Sequence, residues 1–393
     1  MFHGRRHQTA RNAFAVCLVV LGAQLASAGT ARALDGAIRD GRDTKGALDI
    51  AGVSYASNGS TVTQTVRFHA PVASRTLKAP HAALVFAFDA NNDLRADTLA
   101  VVVYAAGALR TVLANSHGKI LDVSRAHRPD SRTIAVTFPS RVFRQGGYRW
   151  TVLTVYKDRA HCRRGCVDTA PNRVPALFDF TPPIANLAVP DPYNLIATST
   201  DFTVQVQVAD RGFSGVRRWS LETRPAGSAD WSTIAAGSSA SVVDVPRLGS
   251  EGATYEFRLT AADAQGNVTT TTRLVSVPID DANPLLAGAY TGVSWDTFAT
   301  PGQRFFQNTV HRGLGSDVAF TYAFTGTYFA WLGPSGNCCA GAHVSIDGGT
   351  PQTVAGGAYR LFEQADMPYG PHTVSITPGG NGDVLQIDAI VTR

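Results

Sequence analysis

Short runs in which apolar and polar residues alternate recur along most of this chain. Val62, Val66 and Phe68 fall on one side of such a run, as do Leu84, Phe86 and Phe88. Ile134, Val136 and Phe138 repeat the pattern, followed by Tyr148, Trp150, Val152 and Tyr156. Successive side chains of an extended backbone leave opposite faces, so period two predicts half-buried strands. Phe202, Val204, Val206 and Val208 continue the series before a turn over residues 210–215, with Trp219 and Trp231 expected to fill a core. Further strands are expected over residues 318–324, 328–332, 342–346, 372–376 and 384–391. Turn residues interrupt the runs at short intervals and no long helical spacing takes over. The fold class that follows is all-β, built as tandem β-sandwiches.

Two proline-bearing breaks divide the pattern, Thr181-Pro182-Pro183 and Val277-Pro278-Ile279-Asp280. They suggest three modules over residues 34–180, 181–280 and 281–393, since one hydrophobic core rarely serves so long a chain. Ahead of them, Arg5, Arg6 and Arg11 precede a short apolar run over residues 13–21, and no acid occurs before Asp35. The small-residue sites Ala26-Ser27-Ala28 and Ala31-Arg32-Ala33 follow. A basic start, a short apolar segment and an A-x-A site together predict a secretory signal peptide over residues 1–33. The expectation is a secreted, extracellular protein with no membrane span, because no other apolar stretch reaches bilayer length.

The charge of +5 changes meaning once that segment is set aside. Residues 34–180 carry 20 basic and 12 acidic side chains, residues 181–280 carry 7 and 10, and residues 281–393 carry 4 and 8. A basic front module could meet wall polyanions or acidic polysaccharide, or could simply be a solvated surface. Lysine occurs only at positions 45, 78, 119 and 157, a bias that fits a GC-rich bacterial genome. No nucleic-acid partner is expected.

Cys17 would leave with the export segment, so Cys162, Cys166, Cys338 and Cys339 remain. In an exported protein an even count favours disulfides. Cys162 and Cys166 flank a short Arg-Arg-Gly loop and are expected to pair. Cys338 and Cys339 are adjacent, and a bond between them would be a vicinal disulfide.

No Gly-x-Ser-x-Gly elbow, His-Glu-x-x-His motif or phosphate loop is present, so no enzyme activity is expected. The strongest local chemistry lies at Asp89, Asn91, Asp93 and Asp97, between two strand candidates. Oxygen donors at positions 1, 3, 5 and 9 match the first part of a calcium loop, where a hard cation needs several oxygens at short range. Leu94 replaces the glycine of an EF-hand and Ala100 its final glutamate, so a full EF-hand is excluded. Weak calcium binding, aided by another acid such as Asp43 or Asp49, stands beside the alternative of a plain Asx-rich turn.

Two stretches carry family resemblances. Tyr255-Glu256-Phe257-Arg258-Leu259-Thr260-Ala261-Ala262-Asp263, closed by a turn through Gly266-Asn267, resembles the last hairpin of bacterial immunoglobulin-like and fibronectin type III-like domains. Tyr255 stands where such sandwiches keep a tyrosine corner. In the third module, Phe324-Thr325-Gly326, Val344-Ser345-Ile346-Asp347-Gly348, Tyr369-Gly370-Pro371-His372-Thr373-Val374-Ser375-Ile376 and the closing Ile387-Asp388-Ala389-Ile390 occur in order. Together they resemble the galactose-binding-like jelly roll of family 6 and 35 carbohydrate-binding modules. Asp347-Gly348 reads as a hairpin turn and His372 as a strand-end residue.

The second resemblance implies sugar binding. Pyranose rings need flat aromatic faces edged by polar groups, which makes Tyr290, Trp295, Tyr359 and Phe362 the ligand-binding candidates, with Trp331 assigned to the core. The expected function is therefore a secreted, non-catalytic binding protein directed at a carbohydrate or cell-wall polymer through its C-terminal jelly roll. An extracellular protein–protein interaction or adhesion role is the alternative, and a secreted enzyme with an unrecognised site the second alternative.

Overall fold

The computed structural model describes residues 36–57, 60–142, 147–157, 162–189, 195–298, 305–334, 338–380 and 384–393. The expected export segment lies outside the described residues. Those residues form antiparallel β-structure with short 3-10 turns and no α-helix. None of their helices is long and apolar enough to cross a membrane.

In the front part, one sheet runs in the order Ala37–Arg39, Ile50–Ser57, Thr61–Phe68, Thr133–Pro139. The facing sheet runs Cys166–Ala170, Gly147–Tyr156, Ala82–Asp89, Thr98–Ala105, Ala108–Asn115, Ile120–Arg125, and Ala176–Asp179 also pairs with Gly147–Tyr156. The alternating residues meet between them: Val62, Val66, Phe68, Leu84, Phe86, Phe88, Ile134, Val136, Phe138 and Trp150 share one core. The strand Ala82–Asp89 is buried on both faces, because Ala83, Val85 and Ala87 join Leu99, Val101 and Val103 in a second apolar cluster.

The middle part has a three-stranded sheet, Ile184–Ala188, Asp201–Ala209, Ser241–Leu248, and a four-stranded sheet, Ser232–Gly237, Val216–Pro225, Thr254–Asp263, Val268–Ser276. This three-on-four sandwich is immunoglobulin-like and fibronectin type III-like in layout. The Tyr255 hydroxyl accepts a hydrogen bond from the Ser250 N–H at 3.1 Å, closing the tyrosine corner. Trp219 is core. Trp231 is not: it lies half-exposed beneath the guanidinium groups of Arg224 and Arg258, at 4.4 and 4.2 Å. Arg224 pairs with Glu256, and Arg258 with Glu222, which holds both cations over the indole.

The rear part has three sheets. One runs Ile279–Asp280, Ala389–Thr392, Phe329–Leu332, Arg360–Gln364. A second runs Tyr290–Thr291, Ala319–Gly326, Gly370–Thr377, His343–Ile346, Gln352–Thr353. The third runs Trp295–Phe298, Val310–Leu314, Val384–Ile387. Phe320, Phe329, Trp331, Val374, Ile376, Leu385 and Ile390 fill the core. Asp347 and Gly348 both take positive φ, 53° and 69°, and the Gly349 N–H bonds the Ile346 carbonyl at 2.9 Å, the tight turn expected there. The expected single strand over residues 384–391 is broken at Asp388, where the chain passes from one sheet to another.

By packing, the chain forms two compact units. One holds the residues up to Ile184 with Ala209–Arg218 and Ala261–Thr269; the other holds Ala185–Val208, Trp219–Thr260 and Thr270–Arg393.

Candidate functional site

The rear site grows from a short cross-strand pairing. Trp295 stands opposite Gly313 and Thr297 opposite His311. A Cβ at position 313 would come within 3.1 Å of the Trp295 ring, so glycine there lets the indole lie against the strand. The Trp295 Nε1–H donates to the Thr291 carbonyl at 2.7 Å. Tyr290, opposite Phe320 in the neighbouring sheet, brings its ring to 5.0 Å from Trp295 and stacks on His311 at 4.3 Å and 15°. Two sequence-predicted candidates therefore meet, with a histidine as the third ring.

His311 is held from both sides. Its Nδ1 lies 2.6 Å from Asp281 Oδ2, and its Nε2 lies 3.1 Å from the Thr297 hydroxyl. The Thr309 hydroxyl donates to the other Asp281 oxygen at 2.7 Å, and the Tyr290 hydroxyl donates to the Asp281 carbonyl at 2.9 Å. A buried carboxylate accepting from Nδ1 orients the imidazole and leaves Nε2 facing the exposed Thr297. Asp280 and Asp388 are buried beside it. Burial pushes Asp280 up to about 7, with the charge of Asp281 adding to the effect. Burial pushes Asp388 up to about 9; the Phe306 N–H opposes this, and the charges of Asp281 and Asp280 reinforce it.

The other two candidates part company. Tyr359 is half-buried, just ahead of the strand Arg360–Gln364, and its hydroxyl favours the charged form of Asp388. Phe362 is a core residue and not a ligand platform. It pairs with Trp331 across the sheet and packs 6.4 Å from Phe329, so its ring faces inward.

At the front, Asp89 is buried and serves as the hub of its loop. One carboxylate oxygen accepts from the backbone N–H groups of Asn91, Asn92 and Asp93 at 3.2, 2.6 and 3.3 Å, and the other from Leu94 at 2.8 Å. Asp97 accepts from the Ala90 N–H at 2.8 Å, and Asp93 from the Arg95 N–H at 2.8 Å. The two-residue spacing of Asp89, Asn91 and Asp93 that reads as ligand spacing is thus also the spacing of Asx turns. Among the described residues, three carboxylates converge within 4.8 Å in two groups, neither of them this loop: Asp40 with Asp43 and Asp168, and Asp179 with Asp210 and Asp263. Burial pushes Asp168 up to about 7, opposed by the Ile50 N–H and reinforced by Asp40 and Asp43. In the second group Asp179 accepts from Ser214 and Thr181, and Asp263 from Asn267, so backbone and side-chain donors already serve it.

Cys162 and Cys166 are bonded, with Cα atoms 5.3 Å apart. Cys338 and Cys339 are bonded to each other, and Cys339 Sγ accepts from the Gln386 N–H at 3.3 Å. That contact, together with the burial of Cys339, ties the pair to the core strand Val384–Ile387.

No family model matches this chain, and no curated protein matches it. Among solved structures, an α-L-rhamnosidase from Dictyoglumus thermophilum is 8% identical over 54% of this chain and 29% of its own, with a TM-score of 0.30. A two-domain fibronectin type III segment of chicken tenascin is 11% identical over 60% of this chain and 99% of its own, with a TM-score of 0.27. A carbohydrate-binding module of the β-sandwich superfamily is 12% identical over 55% and 99%, with a TM-score of 0.27. Fibronectin type III and carbohydrate-binding sandwiches thus stand among the structural neighbours. At these scores the likenesses assign neither activity nor ligand.

The alternation of residues does not disclose His311, Asp281, Thr297 or Thr309. Val310–Leu314 is a five-residue strand whose burial alternates only weakly, and Asp281 directly follows what reads as a linker. The Asp280-Asp281 pair just ahead of the Pro284–Leu286 turn is the one local signal that acids gather there.

Proposed function

We propose that this chain is a secreted, non-catalytic protein that binds carbohydrate or a cell-wall polymer through its rear module. The observation that supports this reading is the grouping of Tyr290, Trp295 and His311, with the exposed residues 291–294 joining the first two in sequence. The indole supported by Tyr290 offers an apolar face to sugar C–H groups, while the Asp296–Arg312 ion pair and the exposed Thr297 supply polar groups at the rim. Asp281 orients His311, a positioning role that needs no bond-making chemistry. Calcium at Asp89, Asn91, Asp93 and Asp97 belongs to the same proposal as a front-loop stabiliser.

The test measures folding and glycan binding on one full-length variant. Trp295→Ala is expected to keep its circular dichroism spectrum and to lose about tenfold to a hundredfold in affinity, the loss of about 1–3 kcal/mol of stacking. A folded variant that binds as well as wild type would remove Trp295, and a wild-type chain silent toward every glycan would remove the reading.

One observation favours protein binding as the second reading. The strand Ile120–Arg125 ends its sheet with Leu121 and Val123 47% and 55% exposed, an edge open to pairing with another chain. Val123→Lys is expected to weaken such a partner without altering glycan affinity.

A further inference from the structure

The front unit contains a cleft of about 680 Å³ that plays no part in the aromatic site of the rear module. Buried Thr98 and Leu113 belong to its lining. Asn91, Asp97, His117, Asp122 and Arg141 line it with polar groups. A turn at residues 116–117 follows the strand Ala108–Asn115 beside it. The turn is then fixed by Asn115, whose side-chain oxygen accepts from the His117 and Lys119 N–H groups at 3.1 and 2.9 Å. Asp97 is fixed likewise, accepting from the Ala90 N–H and, at 3.3 Å, from the Asn91 amide. Asn115 and Asp97 are therefore held in place by local bonds before any ligand arrives, which spares a ligand the cost of ordering them.

The volume falls in the range of about 300–1,000 Å³ that small-molecule sites occupy. Carboxylates, amides, an imidazole and a guanidinium in one concavity complement closely spaced hydroxyls, which donate and accept at once. Leu113, Leu121 and Val142 offer the apolar patches that C–H faces need. The front module is basic, yet Asp97 and Asp122 in the cleft would repel a polyanion. The His117 imidazole is the one aromatic ring in its lining among the described residues, so a flat aromatic ligand would find little to stack on.

We infer that this cleft is a second carbohydrate site, taking a short neutral oligosaccharide independently of the rear site. The experiment titrates the full-length, isotope-labelled chain with cellohexaose, maltohexaose, xylohexaose and mannohexaose, and with a galacturonate hexamer as the anionic comparison. At least one neutral hexaose is expected to shift the amide resonances of residues 97–98 and 115–117. Asp122→Ala combined with Arg141→Ala, both exposed positions, should weaken that response at least tenfold while leaving the remaining spectrum in place. Trp295→Ala should leave it unchanged, which separates this site from the function proposed above. The inference is overturned if no neutral hexaose moves these amides, if the galacturonate hexamer binds more tightly, if the double variant binds like wild type, or if Trp295→Ala abolishes the response.

Discussion

Asp388 shows how much one side chain's environment can set. Its carboxyl is fully buried, accepts the Phe306 N–H at 2.8 Å and is pushed up to about 9. A carboxyl that holds its proton more tightly when folded favours the folded state at low pH. That contribution is therefore lost as pH rises from its ordinary value near 3.8 through about 9. Asparagine keeps the oxygen that accepts from Phe306 and removes the ionisation. Asp388→Asn is expected to melt higher than wild type at pH 9, with the two curves converging only below the ordinary value of 3.8. Thermal melts across that interval check it, and parallel curves would show that Asp388 is not the titrating group.

The loop between the strands Ala82–Asp89 and Thr98–Ala105 is an element organised by one carboxylate. Asn92 and Leu94 take positive φ, 63° and 66°, conformations that a side chain resists unless hydrogen bonds hold them. Asp89→Ala removes the acceptor for four backbone N–H groups, and a loss of about 2–3 kcal/mol in urea unfolding is expected. Asp89→Asn should recover part of it, since the amide keeps one acceptor. The same loop carries the calcium proposal. Millimolar calcium is expected to raise the melting temperature relative to EDTA by linkage, and Asp93→Ala to remove the rise. Superimposable melts in calcium and EDTA would exclude a cation there.

Across the chain as a whole, both disulfides are local. One closes a loop of four residues in sequence separation and the other joins neighbours, so neither links the front to the rear. Peptide mapping under non-reducing conditions is expected to recover Cys162 with Cys166, and no cross-link from either to residues 338–339. Reduction should cost the front module about 2 kcal/mol by freeing its unfolded chain. Apolar packing therefore carries most of the stability in every part of the chain. The deeply buried aromatic residues Phe86, Phe88 and Trp150 in the front, Phe257 in the middle and Trp331 and Phe320 in the rear supply it.

Alternation alone carries the all-β class, because a strand half-buried on a sheet must segregate its side chains by face. It also carries the cores around Phe86, Val204 and Trp331, and local chemistry adds the Asp347-Gly348 turn and the Tyr255 corner. Its reach ends where burial departs from one face per strand. Ala82–Asp89 is buried on both sides, and Asp388 divides what reads as one continuous strand. Trp231 and Phe362 were legible as large aromatic residues but not as inside or outside. Arg224 and Arg258 keep the first at the surface, and pairing with Trp331 turns the second inward. The rear site shows the same division. Tyr290 and Trp295 could be singled out by residue type and position, whereas His311 and Asp281 could not. Their contact spans thirty residues of chain, and only the register of Trp295–Phe298 on Val310–Leu314 and the packing beneath it bring the imidazole to the carboxylate.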